Sequence, residues 1–247
     1  KFNTHYHYKI APMAANIEST KNIEFDYLNS LGQPTIWPIY IDSGLEKIAS
    51  ADFSPEIKEF LSTFIPNKKY HYLLMNPLGA GEFWGSNINA DYFPEKELME
   101  NHHTFVSHGK FFKHHRNKAK KGDPFYGEPI FSCYNPRMHR VEIIVRFLKG
   151  SDRELQSHID NGSDIRISMG AAVKYDICSI CGNRAKTPKD YCVHIRTQKN
   201  KILPDGRKVY MINIRPVFFD ISYVIIPADK TARVLYKIAS APWNTKE

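Results

Sequence analysis

Long apolar runs are missing from this chain of 247 residues. No stretch approaches the roughly 18 consecutive apolar residues that a membrane-spanning helix needs. The first ten residues, KFNTHYHYKI, also lack the apolar core of a signal peptide. The sequence therefore predicts no membrane helix and no membrane partner.

The signatures of several widespread enzyme classes are absent as well. The chain has no G-x-S-x-G nucleophile elbow, no H-E-x-x-H metal-binding helix, no P-loop and no G-x-G-x-x-G dinucleotide loop. A catalytic site in this chain must be built from residues that these motifs do not mark.

Cysteine is scarce, yet three of the four cysteines fall within fifteen residues. Cys178, Cys181, Cys192 and His194 form the pattern C-x2-C-x10-C-x-H. A C-x2-C turn supplies two thiolates, and four thiolate or imidazole donors complete the tetrahedron that zinc prefers. Because four protein ligands leave no open coordination position, the pattern predicts a structural zinc and not a catalytic one. Cys133, which stands alone, is predicted to be a small buried apolar residue.

The remaining patterns indicate strands mixed with short helices, without the regular alternation of a parallel βαβ sheet. Helices are predicted over 54–65, 95–102, 151–162 and 229–239. Strands are predicted over 70–76, 139–148 and 164–176, and one or two more over 208–226. With 42% hydrophobic residues, the chain can bury a substantial core. We expect one α+β domain over residues 1–247, with a mostly antiparallel sheet and a zinc-binding loop at 176–200.

The chain is basic, with a formal net charge of +8 that favours polyanionic partners such as nucleic acid or acidic proteins. Part of this charge is concentrated in KFFKHHRNKAKKG, residues 110–122. This basic run is either a solvated loop or a contact for DNA, and the sequence leaves both interpretations open.

A possible nucleophile, Ser168, lies in the strand-like segment DIRISMGAAV, where Met-Gly-Ala-Ala follows it. Small residues at this point would let a substrate backbone approach closely. The histidines of KHHRNK, residues 113–118, offer a general base, and Asp220 is an acid among apolar residues in VFFDISYVII. A serine, a histidine and a carboxylate from separate strands can assemble an acyl-transfer site, because geometry and not chain order defines such a triad.

Several segments, in order along the chain, resemble the prohead (head maturation) proteases of tailed bacteriophages. The resemblance runs from about residue 84 to residue 239 and is carried by NINADYFP, FFKHHRN, GEPIFSCYNPRMHRVEIIVRF, IRISMGAAV and FFDISYVIIPADKTA. These enzymes are serine proteases whose fold is similar to that of the herpesvirus assemblins. The resemblance therefore implies an assemblin-like β-barrel with flanking helices.

The resemblance also implies a role for each residue of the possible triad. IRISMGAAV matches the strand that bears the family's nucleophile, which makes Ser168 the nucleophile. HRN at 115–117 matches a His-x-Asn motif, which makes His115 the general base, with its neighbour His114 as the alternative. FFDISYVIIPAD matches a closing strand of the form acid-x-Ser-x-Val, which makes Asp220 the acid that orients the histidine, with Glu142 in reserve.

The family acts inside the procapsid, within the cytoplasm of the bacterial host. The resemblance therefore implies cleavage of scaffold, capsid and internal head proteins, and of the enzyme itself. Such enzymes often cut after glutamate, and because Thr245-Lys246-Glu247 resembles such a site, we expect self-cleavage after Glu247. The alternative function is that of a non-enzymatic, zinc-stabilised protein with a degenerate protease fold, which associates with the capsid or binds nucleic acid.

Overall fold

The computed structural model describes residues 7–9, 37–41, 53–115 and 126–240. Three sequence expectations concern residues outside these ranges. They are Asn117 of the His-x-Asn motif, the part of the basic run from 116 to 122, and the possible cleavage site at 245–247.

The described residues form thirteen strands and six α-helices. The strands are β1 His7–Lys9, β2 Trp37–Ile41, β3 Tyr70–Asn76, β4 Asp91–Tyr92, β5 Lys110–Lys113, β6 Gly127–Asn135, β7 Arg140–Leu148, β8 Ile167–Val173, β9 Tyr175–Cys178, β10 Arg184–Ala185, β11 Met211–Ile214, β12 Val217–Tyr223 and β13 Arg233–Ser240. The helices are α1 Pro55–Thr63, α2 Gly81–Trp84, α3 Glu95–Asn101, α4 Thr104–His108, α5 Arg153–Asp160 and α6 Val193–Thr197, with a 3-10 helix at Pro188–Asp190. None of these helices is long and apolar enough to cross a membrane.

Nine of the strands form one sheet, in the order β1-β8-β12-β5-β6-β7-β3-β13-β2. Its seven inner strands, from β8 to β13, curl into a half-barrel. The two edges of the half-barrel meet at one end, where the N–H of Val234 donates to the carbonyl of Ile165 and the N–H of Ile167 donates to that of Ala232. Most neighbouring strands are antiparallel, although β5 runs parallel to β12 and β2 parallel to β13. The expected α+β class with a mostly antiparallel sheet is therefore confirmed.

Apolar cores lie on both faces of this sheet. On β3, Leu73 and Met75 point into a larger core, whereas Tyr72 and Leu74 point into a smaller one. This alternation follows from the two-residue repeat of a strand. Helix α1 covers the smaller core with its buried face, so the sheet is packed on both sides there.

Two helices begin as the sequence predicts. Pro55 occupies the first turn of α1, and the N–H of Ile57 donates to the side-chain oxygen of Ser54 at 3.2 Å. Helix α5 begins in the same way, because the N–H of Leu155 donates to the carboxylate of Asp152 at 2.8 Å. Each cap satisfies a backbone donor that a helix otherwise leaves without a partner at its start.

The predicted closing helix over 229–239 is wrong, because these residues lead into and form β13. This strand pairs with β3 on one side and with β2 on the other. Its register shifts between Val234 and Tyr236, so the successive residues Leu235 and Tyr236 both pack on the smaller core, whereas Val234 lies in the larger one. A bulged strand that is apolar on both faces loses strict alternation, and its apolar spacing then imitates that of an amphipathic helix.

The segment predicted as one strand over 164–176 is divided in two. β8 continues into β9, and on the return path β11 continues into β12. β8 pairs with β12 in the main sheet, while β9 pairs with β11 in a second, four-stranded sheet of order β10-β9-β11-β4. We call this pair of continuous segments, residues 167–178 and 211–223, the bent hairpin. It links the two sheets.

Candidate catalytic and metal sites

Ser168 lies near the start of β8, on the face of the sheet away from the larger core. Its neighbours Ile167 and Met169 point into that core, so Ser168 points the other way. Its partner across the sheet is Ser222 of β12, and paired residues of this kind place their side chains on one face about 5 Å apart. The Ser168 hydroxyl is buried and forms no hydrogen bond with a described residue. A buried polar group without a partner is costly, and such groups are often functional.

Two histidines follow β5 in a strained turn. His114 and His115 have φ values of 51° and 53°, in the left-handed region that residues other than glycine seldom adopt. The N–H of His114 donates to the carbonyl of Tyr223 at 3.1 Å, and the N–H of His115 donates to the hydroxyl of Ser222 at 3.1 Å. The chain thus turns back along β12, in the direction of Asp220.

The His115 imidazole reaches Asp220, with Nδ1 3.3 Å from Oδ1. Asp220 is completely buried, and the Ser222 hydroxyl donates to the same carboxylate oxygen at 2.7 Å. The His115 side chain is itself only 6% exposed. Its Nε2 forms no hydrogen bond within the described part of the chain. Ser222 therefore fixes both the backbone of His115 and the carboxylate that its ring contacts.

Two polar atoms of this cluster have no hydrogen-bond partner among the described residues, Nε2 of His115 and Oγ of Ser168. A carboxylate that accepts from Nδ1 selects the histidine tautomer whose Nε2 can take up a proton. A histidine held in this way can act as a general base toward a neighbouring hydroxyl. The structure thus places His115 against Asp220, and it places Ser168 across the sheet from Ser222, which bonds both His115 and Asp220. Ser168 Oγ and His115 Nε2 do not hydrogen-bond to each other.

Ser222 is the member of this cluster to which the sequence analysis gave no role. The available signal was its spacing from Asp220, since residues two apart on a strand share a face. The spacing alone did not show that the hydroxyl also accepts from the His115 backbone, because that contact joins residues 107 positions apart.

His114, the alternative base, is directed elsewhere. Its ring packs against Tyr223, with the ring centroids 5.3 Å apart. The two imidazoles point in different directions because both histidines belong to the left-handed turn after β5. Neither histidine is part of β5, so the alternation of faces along a strand does not apply to them.

Glu142, the reserve acid, belongs to a different network. It is completely buried on β7. Arg140 Nη2 and Asn135 Nδ2 each donate to its Oε1 at 2.8 Å, and the backbone N–H of Ser54 donates to its Oε2 at 3.3 Å. In the described structure Asp220, and not Glu142, lies against His115.

Cys133 is buried, as the sequence predicts for this lone cysteine. Its exposed fraction is 4%, and its Sγ lies 3.0 Å from the hydroxyl of Ser54. Burial raises the pKa of the Cys133 thiol to about 12, so this cysteine remains a neutral thiol.

The other three cysteines and His194 converge as the C-x2-C-x10-C-x-H pattern predicts. The ligand atoms of Cys178, Cys181, Cys192 and His194 all lie within 4.8 Å of one another, and Cys192 Sγ is 3.9 Å from His194 Nδ1. In a tetrahedral site with zinc–sulfur bonds of about 2.3 Å, ligand atoms are about 3.8 Å apart. The donor set and its spacing therefore fit one zinc ion with four protein ligands.

Local backbone structure holds the ligands of this cluster together. Cys178 ends β9, and the turn after it closes where Gly182, at φ 70°, donates its N–H to the Cys178 carbonyl at 3.0 Å. Cys192 and His194 lie at the start of α6. The N–H of Ile180 points at the Cys178 sulfur, 3.4 Å away. Burial raises the pKa of the Cys178 thiol to about 11, and this N–H only partly opposes that rise. The charged thiolate is the form that binds metal.

The surroundings of Cys192 also favour its thiolate. Burial raises the pKa of Cys192, but the N–H of Ile195 and the thiols of Cys181 and Cys178 outweigh burial and hold the pKa below its ordinary value. Cys192 is thus prepared to lose its proton to a metal ion.

The Cys3His cluster lies at the tip of the bent hairpin, whereas Ser168 lies near its base. Ten residues of strand separate Ser168 from Cys178, which is up to about 33 Å at 3.3 Å per residue. The two sites lie on different sheets, so a metal bound by the cluster would stabilise the loop of the smaller sheet.

Comparisons with protein-family models, with curated proteins and with solved structures give no match to this chain. The function of both sites therefore has to be argued from their chemistry.

Proposed function

We propose that this chain is a serine endopeptidase of the prohead-protease kind. The observation that carries the proposal is the cluster at Ser168. His115 is held by Asp220 through Nδ1, and Nε2 of His115 and the hydroxyl of Ser168 both remain without partners among the described residues. The ordered resemblance of five segments to the phage enzymes supports the same assignment.

In the proposed reaction, His115 Nε2 takes the proton of the Ser168 hydroxyl while Oγ attacks the carbonyl carbon of the substrate. The proton then passes to the leaving amine as the peptide C–N bond breaks, which leaves an acyl-enzyme. Water, deprotonated by the same imidazole, hydrolyses the ester and restores Ser168. Asp220 stabilises the imidazolium at each stage, and Ser222 keeps Asp220 oriented.

The proposed substrates are the scaffold, capsid and internal head proteins of a procapsid, together with the enzyme itself, cut after glutamate. The proposed place of action is the procapsid interior within a bacterial host. In this proposal the Cys3His cluster binds a structural zinc that stabilises the loop at 176–200 and takes no part in hydrolysis.

The test is a cleavage assay on a purified scaffold protein, with products identified by mass spectrometry. We expect internal cuts that follow glutamate and that disappear when Ser168 is changed to alanine. Intact scaffold after prolonged incubation with wild type would contradict the proposal.

Nucleic-acid binding is the second candidate function, and the net charge of +8 favours it. Affinity that comes from phosphate contacts falls steeply as salt rises, because binding releases counterions from the nucleic acid. A salt titration on duplex DNA, run beside the cleavage assay, distinguishes the two functions. Strong, salt-sensitive binding with no hydrolysis would favour the non-enzymatic alternative.

The two histidines should differ sharply when they are replaced. We expect His115→Ala to lower kcat/KM by about 10⁴-fold, since it removes the general base. His114→Ala should cost less than about tenfold, because its ring contacts Tyr223 and not Asp220. Kinetics on one peptide substrate compare the two variants, and the opposite ranking would show that His114 is the base.

Ser222 should act as a positioning residue. Ser222→Ala removes its hydrogen bonds to Asp220 and to the His115 backbone, so we expect kcat to fall by about 10–100-fold with little change in KM. Ser222→Thr, which keeps the hydroxyl, should recover part of the rate. Unchanged kcat in Ser222→Ala, with full-length protein still folded, would show that Asp220 and His115 need no such support.

A further inference from the structure

Two arginines lie beside Ser168 where the edges of the half-barrel meet. Arg166 and Arg233 are antiparallel partners in a single bridge between the two edges. Arg166 is two residues before Ser168, so their side chains share a face about 6.6 Å apart. As the cross-strand partner of Arg166, Arg233 presents its side chain on that face too.

The charge of this pair is not balanced. Arg233 is only 9% exposed, yet its guanidinium forms no hydrogen bond or ion pair with a described residue. Arg166 has one ion pair, with the half-exposed Asp164 at 3.5 Å. Burial lowers the pKa of Arg233, the charge of Asp164 raises it, and that of Arg166 lowers it again. An arginine nevertheless keeps its charge, and two largely buried positive charges that share one half-exposed carboxylate are only partly balanced, which is unfavourable.

We infer that Arg166 and Arg233 form a carboxylate-binding site, which receives an acidic side chain of the substrate next to the bond that is cut at Ser168. The inference rests on the proposed endopeptidase function. A guanidinium presents paired N–H donors that match a carboxylate, and one incoming negative charge would partly balance the two positive charges. A site of this kind rejects the neutral amide of the same shape, because the amide leaves a buried charge unpaired.

The position of the pair favours a peptide carboxylate over a nucleic-acid phosphate. Arg233 is buried on a strand, and the pair lies two residues along the sheet from the candidate nucleophile. In a bound peptide whose scissile carbonyl lies at Ser168, the residue that carries this carbonyl would have its side chain close to Arg166. A glutamate at this position is long enough to approach both guanidinium groups.

The experiment measures binding to the Ser168→Ala protein, so that no substrate is consumed. The probes are two fluorescein-labelled peptide amides with the sequence of residues 241–247, one ending in glutamate and one in glutamine. We expect the glutamate peptide to bind at least about tenfold more tightly by fluorescence anisotropy, as for a charge-assisted hydrogen bond.

Arginine variants of the Ser168→Ala protein show which residues cause the preference for the glutamate peptide. Arg166→Met and Arg233→Met should each reduce the tenfold ratio to less than about twofold and leave affinity for the glutamine peptide unchanged. Arg184→Met is the matched control, because Arg184 is exposed and stacks on Tyr175 in the second sheet. It should preserve the ratio. If Arg233→Met does not fold, Arg233→Lys keeps the charge, loses the paired donors and should still weaken the preference.

Equal binding of the two peptides by the Ser168→Ala protein would overturn the inference. Displacement of the glutamate peptide by a short DNA duplex, lost in Arg233→Met, would assign the pair to phosphate and also overturn it. If the wild-type protein cleaves peptides without any preference for glutamate, the proposed carboxylate-binding site is wrong and the proposed endopeptidase function still holds. Glutamate-dependent binding without cleavage by wild type would reject the endopeptidase and leave the carboxylate site.

Discussion

Replacing Ser168 with alanine is expected to lower kcat/KM for peptide hydrolysis by at least about 10⁴-fold, because the variant has no nucleophile to form an acyl-enzyme. The same change should leave the fold intact and raise the melting temperature. The Ser168 hydroxyl is buried without a partner among the described residues, and leaving such a group unsatisfied costs about 1–3 kcal/mol. In a domain of this size 1 kcal/mol corresponds to about 2–4 °C. Thermal unfolding and peptide kinetics on one preparation measure both effects.

Ser62→Ala is the matched control, because Ser62 is exposed on α1 and, within the described ranges, its hydroxyl bonds only the Glu59 carbonyl. It should change neither the rate nor the melting temperature. A loss of activity together with a gain in stability on replacing Ser168 would be typical of a functional side chain that lowers the stability of the fold. A Ser168→Ala protein that still cuts its substrate would remove Ser168 from the mechanism.

Local features of the fold were predictable because short-range chemistry determines them. Ser54 and Pro55 mark the start of α1 through a cap that needs only three further residues. The Cys3His cluster was predictable for the same reason, since the C-x2-C turn and the Cys-x-His pair are each local. By contrast, the sequence predicts a helix where β13 lies, because its partners β3 and β2 are distant in sequence and only pairing with them selects a strand.

The cluster of Ser168, His115 and Asp220 was predictable in its membership but not in its geometry. Resemblance and residue type pointed to Ser168, His115 and Asp220. The left-handed turn that carries His115 could not be read from the sequence, because histidine has only a modest preference for that conformation. Contacts with Tyr223 and Ser222 on a strand more than 100 residues away stabilise the turn. The arginine pair escaped the sequence analysis for a similar reason, since Arg166 and Arg233 meet only when the sheet curls.

Removing the metal is expected to have the second large effect. In Cys181→Ser one of four ligands is lost, so we expect elemental analysis to find less than about 0.1 zinc per chain against about one in wild type. Structural zinc contributes on the order of 10 kcal/mol to the folding of small metal domains. Even partial loss of that energy should lower the melting temperature by at least about 8 °C, at about 2–4 °C per kcal/mol.

Cys133→Ser is the matched control, because it makes the same substitution at the cysteine outside the cluster. It should keep the full zinc content, although it places a hydroxyl in the apolar surroundings of a buried thiol. Zinc content that stays at one per chain in Cys181→Ser, or is already absent from wild type, would contradict the metal site.

Activity should respond to metal loss in a graded way, because the bent hairpin connects the two sites. The hydrogen bonds of β9 with β11 continue into those of β8 with β12, where Ser168 faces Ser222. Without the metal, local unfolding costs least free energy at the tip of the bent hairpin. Opening that begins there breaks the hydrogen bonds between the strands progressively toward the base, where Ser168 lies. We therefore expect Cys181→Ser to lower kcat/KM about tenfold at 20 °C, far less than Ser168→Ala, and to lose more on warming. A rate that falls as completely as in Ser168→Ala while the protein remains folded would instead place the metal in the reaction itself.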